Sequence, residues 1–422
     1  MNYIKQTVRS FTSRGGHFVF SSMIISKLSN FVLSILIIRI LAESVYGNIS
    51  YAFSIMQVLV TLSGMGLHHA LLRFGALEKS LEEKNDLFMI FVKYGTVISL
   101  ILGAVLFFSS DAVSTKMPGA AKFLQMFSPL LFTFFLAEII FSYFRIQKNN
   151  RLYSAGMIIK SLLFLAVCYT ATLLSGGQGY VIAYTLVPLM TAGLMYFFAK
   201  RLYHIGMRSK KQIDIKPHLK YGFWVAAGNI ASQLIILLDV IMVGNIIADS
   251  TQVATYKVAT LIPLNLLFIP MVLLRTDYVY IAEKYQNRVF LINYYKKYFV
   301  IFVSMLIVIF ILWFLLADII MGVFGAYYIK AKPLVTILLF MVVASFLFRI
   351  PLGNMLAAVG KSKWNGISNI ILVFINFALN LLLIPRYGLI GGAVATVTSI
   401  WISSVISIGM FSYYLSKYCK KA

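Results

Sequence analysis

Seven charged side chains lie inside long apolar stretches of this 422-residue chain. A charge in such a stretch costs free energy, so each of them is a candidate for a functional role. A charge at the centre of a bilayer costs about 2.5–3.5 kcal/mol on insertion scales. Five are basic and two are acidic: Lys27, Lys93, Lys160, Lys257, Arg349, Glu138 and Asp239. The basic excess favours binding of an anion, and we expect Arg349 to contribute to it. The carboxyl groups of Glu138 and Asp239 are candidates to couple proton or sodium movement to function. Structural ion pairs between helices are the open alternative.

The elements that position these charges are twelve apolar runs, each long enough to cross a hydrocarbon core of roughly 30 Å as a helix. Strands of a membrane barrel would be about 10 residues long and alternating, and these runs are neither. We therefore expect an all-α integral membrane protein with twelve transmembrane helices. The runs are residues 15–38, 46–71, 87–108, 123–144, 152–174, 179–199, 221–241, 252–274, 298–317, 333–357, 364–385 and 389–415.

The composition supports a membrane protein and limits the kinds of chemistry that it can carry out. Hydrophobic residues make up 60% of the chain, charged residues 12%, and the mean hydropathy is +0.88. The two cysteines, Cys168 and Cys419, indicate neither a disulfide framework nor a thiolate metal site. The chain has no phosphate-cradling Gly-Lys-Ser/Thr loop. We expect no cofactor, no metal and no enzymatic activity; a membrane-bound glycan polymerase remains the enzymatic alternative.

The basic residues are unevenly placed, which predicts orientation. The formal net charge is +24. With the N-terminus in the cytoplasm, cytoplasmic segments hold 26 Lys and Arg residues and the opposite loops hold 6. Cytoplasmic loops of membrane proteins carry such an excess. The charge therefore predicts both termini in the cytoplasm and does not indicate nucleic acid as a partner.

The sequence contains two similar halves. The hydrophilic stretch from Arg201 to Lys220 lies near the midpoint, with six runs on each side. Short segments echo at a nearly constant offset, such as those beginning at Val45 and Val253, or at Gly179 and Gly388. A constant offset indicates an internal repeat. We expect six-helix bundles at 1–210 and 211–422, related by a parallel pseudo-two-fold axis, as in transporters that bind cargo between repeats.

Three segments resemble the O-antigen and polysaccharide repeat-unit flippases, which belong to the multidrug/oligosaccharidyl-lipid/polysaccharide exporter superfamily. They are the stretch from Ile37 to Phe74, with its R-x-L and YG pattern ending in RF, the stretch from Asp239 to Ala259, and IPRYGLIGGAVAT from Ile384 to Thr396. The resemblance implies two six-helix bundles working by alternating access. It also implies a cargo of undecaprenyl-diphosphate carrying a short oligosaccharide.

The same resemblance suggests substrate-binding residues. Related flippases use basic residues on helices one, two and eight, which match Lys27, Arg39 and Lys257, with Arg73 at the inner mouth of helix two. Lysine stands where that pattern has arginine at two of these positions, which weakens bidentate recognition of a diphosphate.

The expected setting is a bacterial cytoplasmic membrane, with membrane lipid and polysaccharide-assembly proteins as partners. With an inside-negative potential, moving two negative charges outward is favoured by about 4–5 kcal/mol per 100 mV. Export could therefore proceed without ATP. A cation or drug antiporter of the same superfamily is the alternative function.

Overall fold

The chain folds almost entirely into helices. The computed structural model describes residues 16–205, 214–276 and 278–419. Basic residues of the two tails, and part of the stretch from Arg201 to Lys220, lie outside the described residues. The α-helices are α1 (Gly16–Ile40), α2 (Glu43–Val60), α3 (Leu67–Phe74), α4 (Leu81–Val113), α5 (Pro118–Phe127), α6 (Leu130–Ile146), α7 (Asn150–Leu163), α8 (Tyr169–Tyr203), α9 (Lys216–Ile247), α10 (Ser250–Leu266), α11 (Phe268–Thr276), α12 (Tyr278–Glu283), α13 (Arg288–Gly322), α14 (Lys332–Ala344), α15 (Ile350–Ala358) and α16 (Ser362–Lys417).

Short irregular turns join several of these helices into longer rods. Ser63–Gly66 and Ala326–Ala331 are 3₁₀ turns, whereas Phe164–Cys168 and Ser345–Arg349 are π-helical. Within the described residues, ten continuous helical segments are long and apolar enough to cross a membrane. The chain is therefore a multi-pass membrane protein. Two of the ten, Asn150–Tyr203 and Ser362–Lys417, contain 54 and 56 residues, far more than one crossing needs.

Each of these two long segments turns back on itself at a glycine. Gly176 has φ 57° and ψ −140°, and Gly388 has φ 57° and ψ −135°, so both lie outside the helical region. Three residues after each turn, a second glycine packs against the backbone of the preceding arm. A Cβ on Gly179 would lie 2.0 Å from the Ala171 carbonyl oxygen. In a straight helix, residues eight apart are separated by about 12 Å along the axis. Residues 171 and 179 therefore lie side by side in a helical hairpin.

The second hairpin repeats the first. A Cβ on Gly391 would lie 2.2 Å from the Leu383 carbonyl oxygen, again eight residues earlier. The matching pairs, Gly176 with Gly388 and Gly179 with Gly391, are separated by 212 residues in both cases. The sequence comparison paired Gly179 with Gly388, so the structural register differs from it by three residues.

The described residues form two compact units that divide between Ile230 and Ala231, inside α9. In the first unit α1 packs on α7, α2 on α5, and α6 on both α4 and α8. Its core includes the fully buried Phe91, Phe135 and Tyr143. In the second unit α14 packs on α10 and α16, and α15 also packs on α16.

The rod formed by α2 and α3 is broken in its middle. Gly64, Met65 and Gly66 have φ values of 56°, 49° and 70°, a run of three left-handed residues. The break is filled from both sides: a Cβ on Gly64 would lie 2.2 Å from the Phe135 ring, and one on Gly66 would lie 2.3 Å from the Gly222 carbonyl oxygen. The Gly64 amide donates to the Ser99 hydroxyl at 2.7 Å. Glycine permits this path because it lacks the side chain that disfavours positive φ.

Candidate functional site

A buried carboxylate lies in the second unit, surrounded by neutral hydrogen-bond donors. Asp239 on α9 is only 4% exposed. Its Oδ1 atom accepts a hydrogen bond from Asn380 Nδ2 at 2.7 Å, and its Oδ2 atom accepts one from the Thr396 hydroxyl. Asn380 Nδ2 also lies 3.1 Å from Asn376 Oδ1. Two side chains of α16 therefore bind one carboxylate from α9, and Asn376 contacts one of them. Together with Tyr256 of α10, we call this arrangement the Asp239 cluster.

The Asp239 cluster is rich in oxygen atoms. Asn380 Oδ1 is buried and makes no hydrogen bond within the described residues. The Tyr256 hydroxyl of α10 lies 3.4 Å from Thr396 Oγ1 and adds another oxygen beside the carboxylate. A Cβ on Gly392 would lie 3.2 Å from the Tyr256 ring, so glycine lets α10 and α16 approach closely here. Carboxylate, amide and hydroxyl oxygens suit a hard cation, and a carboxylate can also take a proton.

The other acidic candidate, Glu138, is paired in the first unit. Its Oε1 atom lies 3.0 Å from Lys160 Nζ, and the two side chains are 29% and 14% exposed. The Lys160 ammonium also lies 5.3 Å from the Phe141 ring centroid and 5.6 Å from that of Phe134. Removing either partner of this charge pair would leave the other charge uncompensated among apolar rings.

Two histidines of α3 lie near this pair. The rings of His68 and His69 are 4.0 Å apart between centroids, and Glu138 interacts electrostatically with both. His68 is buried, whereas His69 is partly exposed. His69 Nε2 lies 2.9 Å from Asn229 Nδ2 of α9.

The five basic residues expected to bind the substrate are distributed over both units. Lys27 on α1, Arg39 near the end of α1 and Arg73 near the end of α3 are exposed residues of the first unit. The Arg73 guanidinium lies 5.2 Å from the Tyr221 ring centroid. Lys257 on α10 is partly buried and follows Tyr256 of the Asp239 cluster.

Arg349 has a defined hydrogen-bond partner. It ends the π-helical turn Ser345–Arg349, and its Nη2 atom donates to Asn369 Oδ1 at 3.0 Å. A π-helical turn shifts side chains relative to a regular helix and is frequent at functional sites. Asn369 therefore fixes the direction of one edge of the guanidinium.

Sequence reasoning missed the polar partners of both acids. Asn376 and Asn380 lie four residues apart in an otherwise apolar run, a spacing that places them on one helix face. That signal was readable from the sequence, and Thr396 lies inside the third family-like segment. Lys160 was recognised as a charge within an apolar run, but its pairing with Glu138 required the packing of α6 against α7.

The comparisons with known proteins identify the family. A profile described as polysaccharide biosynthesis protein matches residues 13–274, more than half of the chain. The chain belongs to the polysaccharide biosynthesis protein family. This confirms the family resemblance carried by the stretches that begin at Ile37 and Asp239. No curated protein matches the chain.

Several solved structures are similar to this chain over nearly its whole length. An inward-facing multidrug resistance MATE family transporter of the MOP superfamily has a TM-score of 0.75 at 16% identity, covering 93% of this chain and 94% of that chain. The lipid II flippase MurJ, in an inward closed conformation, has a TM-score of 0.71 at 16% identity, covering 94% and 87%. A MOP superfamily transporter from Pyrococcus furiosus has a TM-score of 0.64 at 16% identity, covering 97% and 96%. The chain therefore shares the fold of these three proteins.

Proposed function

We propose that the protein is a flippase that moves an undecaprenyl-diphosphate-linked oligosaccharide from the cytoplasmic to the outer leaflet of a bacterial cytoplasmic membrane. The observation that carries the proposal is the family match over residues 13–274. A polysaccharide biosynthesis protein with a transporter fold fits the step that brings membrane-bound sugar intermediates across the bilayer. An O-antigen repeat unit, or a similar polysaccharide unit, is the proposed cargo.

The proposed topology has twelve crossings and both termini in the cytoplasm. It counts each helical hairpin, turning at Gly176 or Gly388, as two crossings. The 26 to 6 distribution of Lys and Arg supports the orientation. The proposed bundles, residues 1–210 and 211–422, work by alternating access, in which the cargo site opens to one side of the membrane at a time.

The proposed roles of the charged residues follow their chemistry. Lys27, Arg39, Arg73, Lys257 and Arg349 attract the diphosphate of the cargo. Asp239 and Glu138 couple a proton or sodium ion to transport. Asp239 is the stronger candidate of the two, since its hydrogen bonds come from neutral groups whereas Glu138 already has Lys160.

A cation or drug antiporter is the second candidate function. The buried oxygen-rich Asp239 cluster favours it, because a carboxylate that can exchange cations also suits an antiporter. The basic candidates argue for the flippase, since a cationic drug would be repelled by them.

Deletion of the gene tests the proposed function. In a strain without a substitute flippase, the deletion should cause lipid-linked repeat units to accumulate facing the cytoplasm and surface polysaccharide to disappear. Re-expression of the wild-type chain is the control and should restore the polymer. Normal surface polymer in the deletion strain would overturn the flippase proposal, and altered drug tolerance with normal polymer would favour the antiporter.

A further inference from the structure

A short helix with two histidines, α3, follows directly after the break in the rod of the first unit. The break at Ser63–Gly66 places α3 between α6 and α9, with Phe135 on one side of the break and Gly222 on the other. Both histidines come in the first turn of α3, next to the three left-handed residues. A change in how α3 is held would therefore act on a backbone segment that is already outside the regular helical path.

The contact between His69 Nε2 and Asn229 Nδ2 depends on the protonation of the ring. An amide nitrogen donates, so this contact is a hydrogen bond only while Nε2 carries no proton. A proton added to Nε2 would set two donors against each other at 2.9 Å. The Asn229 amide would then have to turn its oxygen toward the ring, or the contact would open.

The surrounding charges act on a second proton in both directions. Glu138 of α6 interacts electrostatically with both histidines, and an opposite charge stabilises an imidazolium. Arg145 of α6 opposes it at His69. Lys160 of α7 competes for the same carboxylate through its 3.0 Å ion pair.

Further titratable groups near α3 add to the electrostatic setting, beginning with Arg73 of α3 itself, four residues after His69. Asp86 and Lys93 lie on α4, which packs against α3, and Lys93 is exposed with its ammonium 5.9 Å from the Tyr94 ring centroid. His218 of α9 packs edge-on against the Phe74 and Phe91 rings. His68 is buried, and its Nδ1 atom makes no hydrogen bond within the described residues.

We propose that His69 is a proton-binding site of the first unit, in which Glu138 stabilises the charged ring and protonation exchanges the Asn229 contact between α3 and α9. His69 is partly exposed and can reach protons, whereas His68 is enclosed. The site is distinct from the Asp239 cluster, which lies in the second unit. It does not depend on the cargo assignment, because the proton is bound by side chains of one unit.

Direct titration of the histidines tests the proposal. Full-length protein with ¹⁵N-labelled histidine is placed in lipid nanodiscs, and the ring nitrogens are followed by NMR from pH 8 to pH 5. We expect one ring to gain a second proton with a signal that disappears in His69→Gln. His204→Gln, at an exposed histidine after α8, is the matched control and should leave that signal unchanged. A His69 ring that stays singly protonated down to pH 5 would overturn the proposal.

Two substitutions test the partners. Glu138→Gln should reduce the proton-binding constant of His69 about tenfold, the effect expected when a nearby opposite charge is removed. Asn229→Asp should increase it by a similar factor, because a carboxylate accepts from the charged ring. An unchanged constant in both variants would overturn the roles of Glu138 and Asn229. If Glu138→Gln does not fold, Asn229→Asp and the wild-type titration decide the matter. Both readouts need no cargo, so they stand whether or not the flippase proposal survives.

Discussion

At the scale of single residues, the two membrane-embedded acids differ in what neutralises them. Glu138 has the Lys160 ammonium at 3.0 Å. Among the described residues, the hydrogen bonds to the Asp239 carboxylate come from an amide and a hydroxyl, neither of which carries a charge. A buried ionised carboxylate without a cation is costly. A bound proton or sodium ion would supply the missing neutralisation, which is why Asp239 suits coupling better than Glu138.

Asp239→Asn should therefore affect coupling more than cargo binding. The amide keeps the shape of the side chain but replaces one acceptor by a donor, so one hydrogen bond of the Asp239 cluster is lost at about 1–3 kcal/mol of stability. We expect surface polymer in a complemented flippase-deficient strain to fall to near background at normal protein levels. Asp318→Asn, at the exposed ion pair with Lys332, is the control. Full complementation by Asp239→Asn would exclude the carboxylate from coupling.

Lys27 tests the proposed anion site in the first unit. Loss of one charge-assisted contact of about 1.4 kcal/mol corresponds to about tenfold weaker binding. Lys27→Ala should therefore weaken complementation, whereas Lys27→Arg should retain much of it because the charge is kept. Lys93→Ala, at an exposed lysine outside the proposed site, should complement normally. Membrane levels of each variant are checked by blot. Normal complementation by Lys27→Ala would remove Lys27 from the anion site.

At the scale of elements, the sequence predicts what hydropathy and periodicity encode. The apolar runs predict helical structure because backbone groups in a bilayer must be satisfied within each segment, and in the described residues the runs fall in helical segments. The hairpin turn at Gly388 lies in a gap between two predicted runs, as does the turn at Gly176. The break at Ser63–Gly66 fell inside the predicted run 46–71, because its left-handed path is fixed by contacts with Phe135 and Gly222 from distant helices. Such tertiary contacts leave no local pattern.

Substitution of the hairpin glycines Gly176 and Gly388 by alanine should destabilise the protein through backbone conformation alone. No atom lies within 4 Å of a Cβ built on Gly176 or Gly388, so alanine would fit sterically. Their φ of 57° is unfavourable for alanine, however, and a residue held in such a region costs about 1–3 kcal/mol. Gly176→Ala and Gly388→Ala should therefore lower the thermal unfolding midpoint of the purified protein.

The matched controls are glycines of the same helices that also have open space around them. Gly193 lies in α8 and Gly409 in α16, and neither has a positive φ. Alanine at a compatible helical position stabilises by about 0.4–1 kcal/mol through the unfolded state. Gly193→Ala and Gly409→Ala should leave the midpoint unchanged or raise it. Equal midpoints for hairpin and control variants would mean that the turns are not strained for alanine.

At the scale of the whole molecule, the repeat is clearer in backbone conformation than in sequence. The two hairpin turns share φ and ψ within 5° and are separated by 212 residues, although few side chains match. Apolar side chains that face lipid are interchangeable, so the repeat is retained where geometry demands glycine. This explains why the sequence indicated the repeat but placed it three residues out of register at Gly388.

Cysteine labelling of intact cells decides the number of crossings. In a background with Cys168→Ala and Cys419→Ala, single cysteines replace exposed residues at both ends of each hairpin: Arg151, Lys200, Lys363 and Lys417. Because each hairpin crosses twice, all four should be protected from a membrane-impermeant reagent and become reactive after permeabilisation. Gln178→Cys, beside the first turn, and Lys116→Cys, after α4, should react in intact cells. If the segment Asn150–Tyr203 were a single crossing, the cysteines of Arg151→Cys and Lys200→Cys would react from opposite sides of the membrane, and the first half of the chain would contain an odd number of crossings.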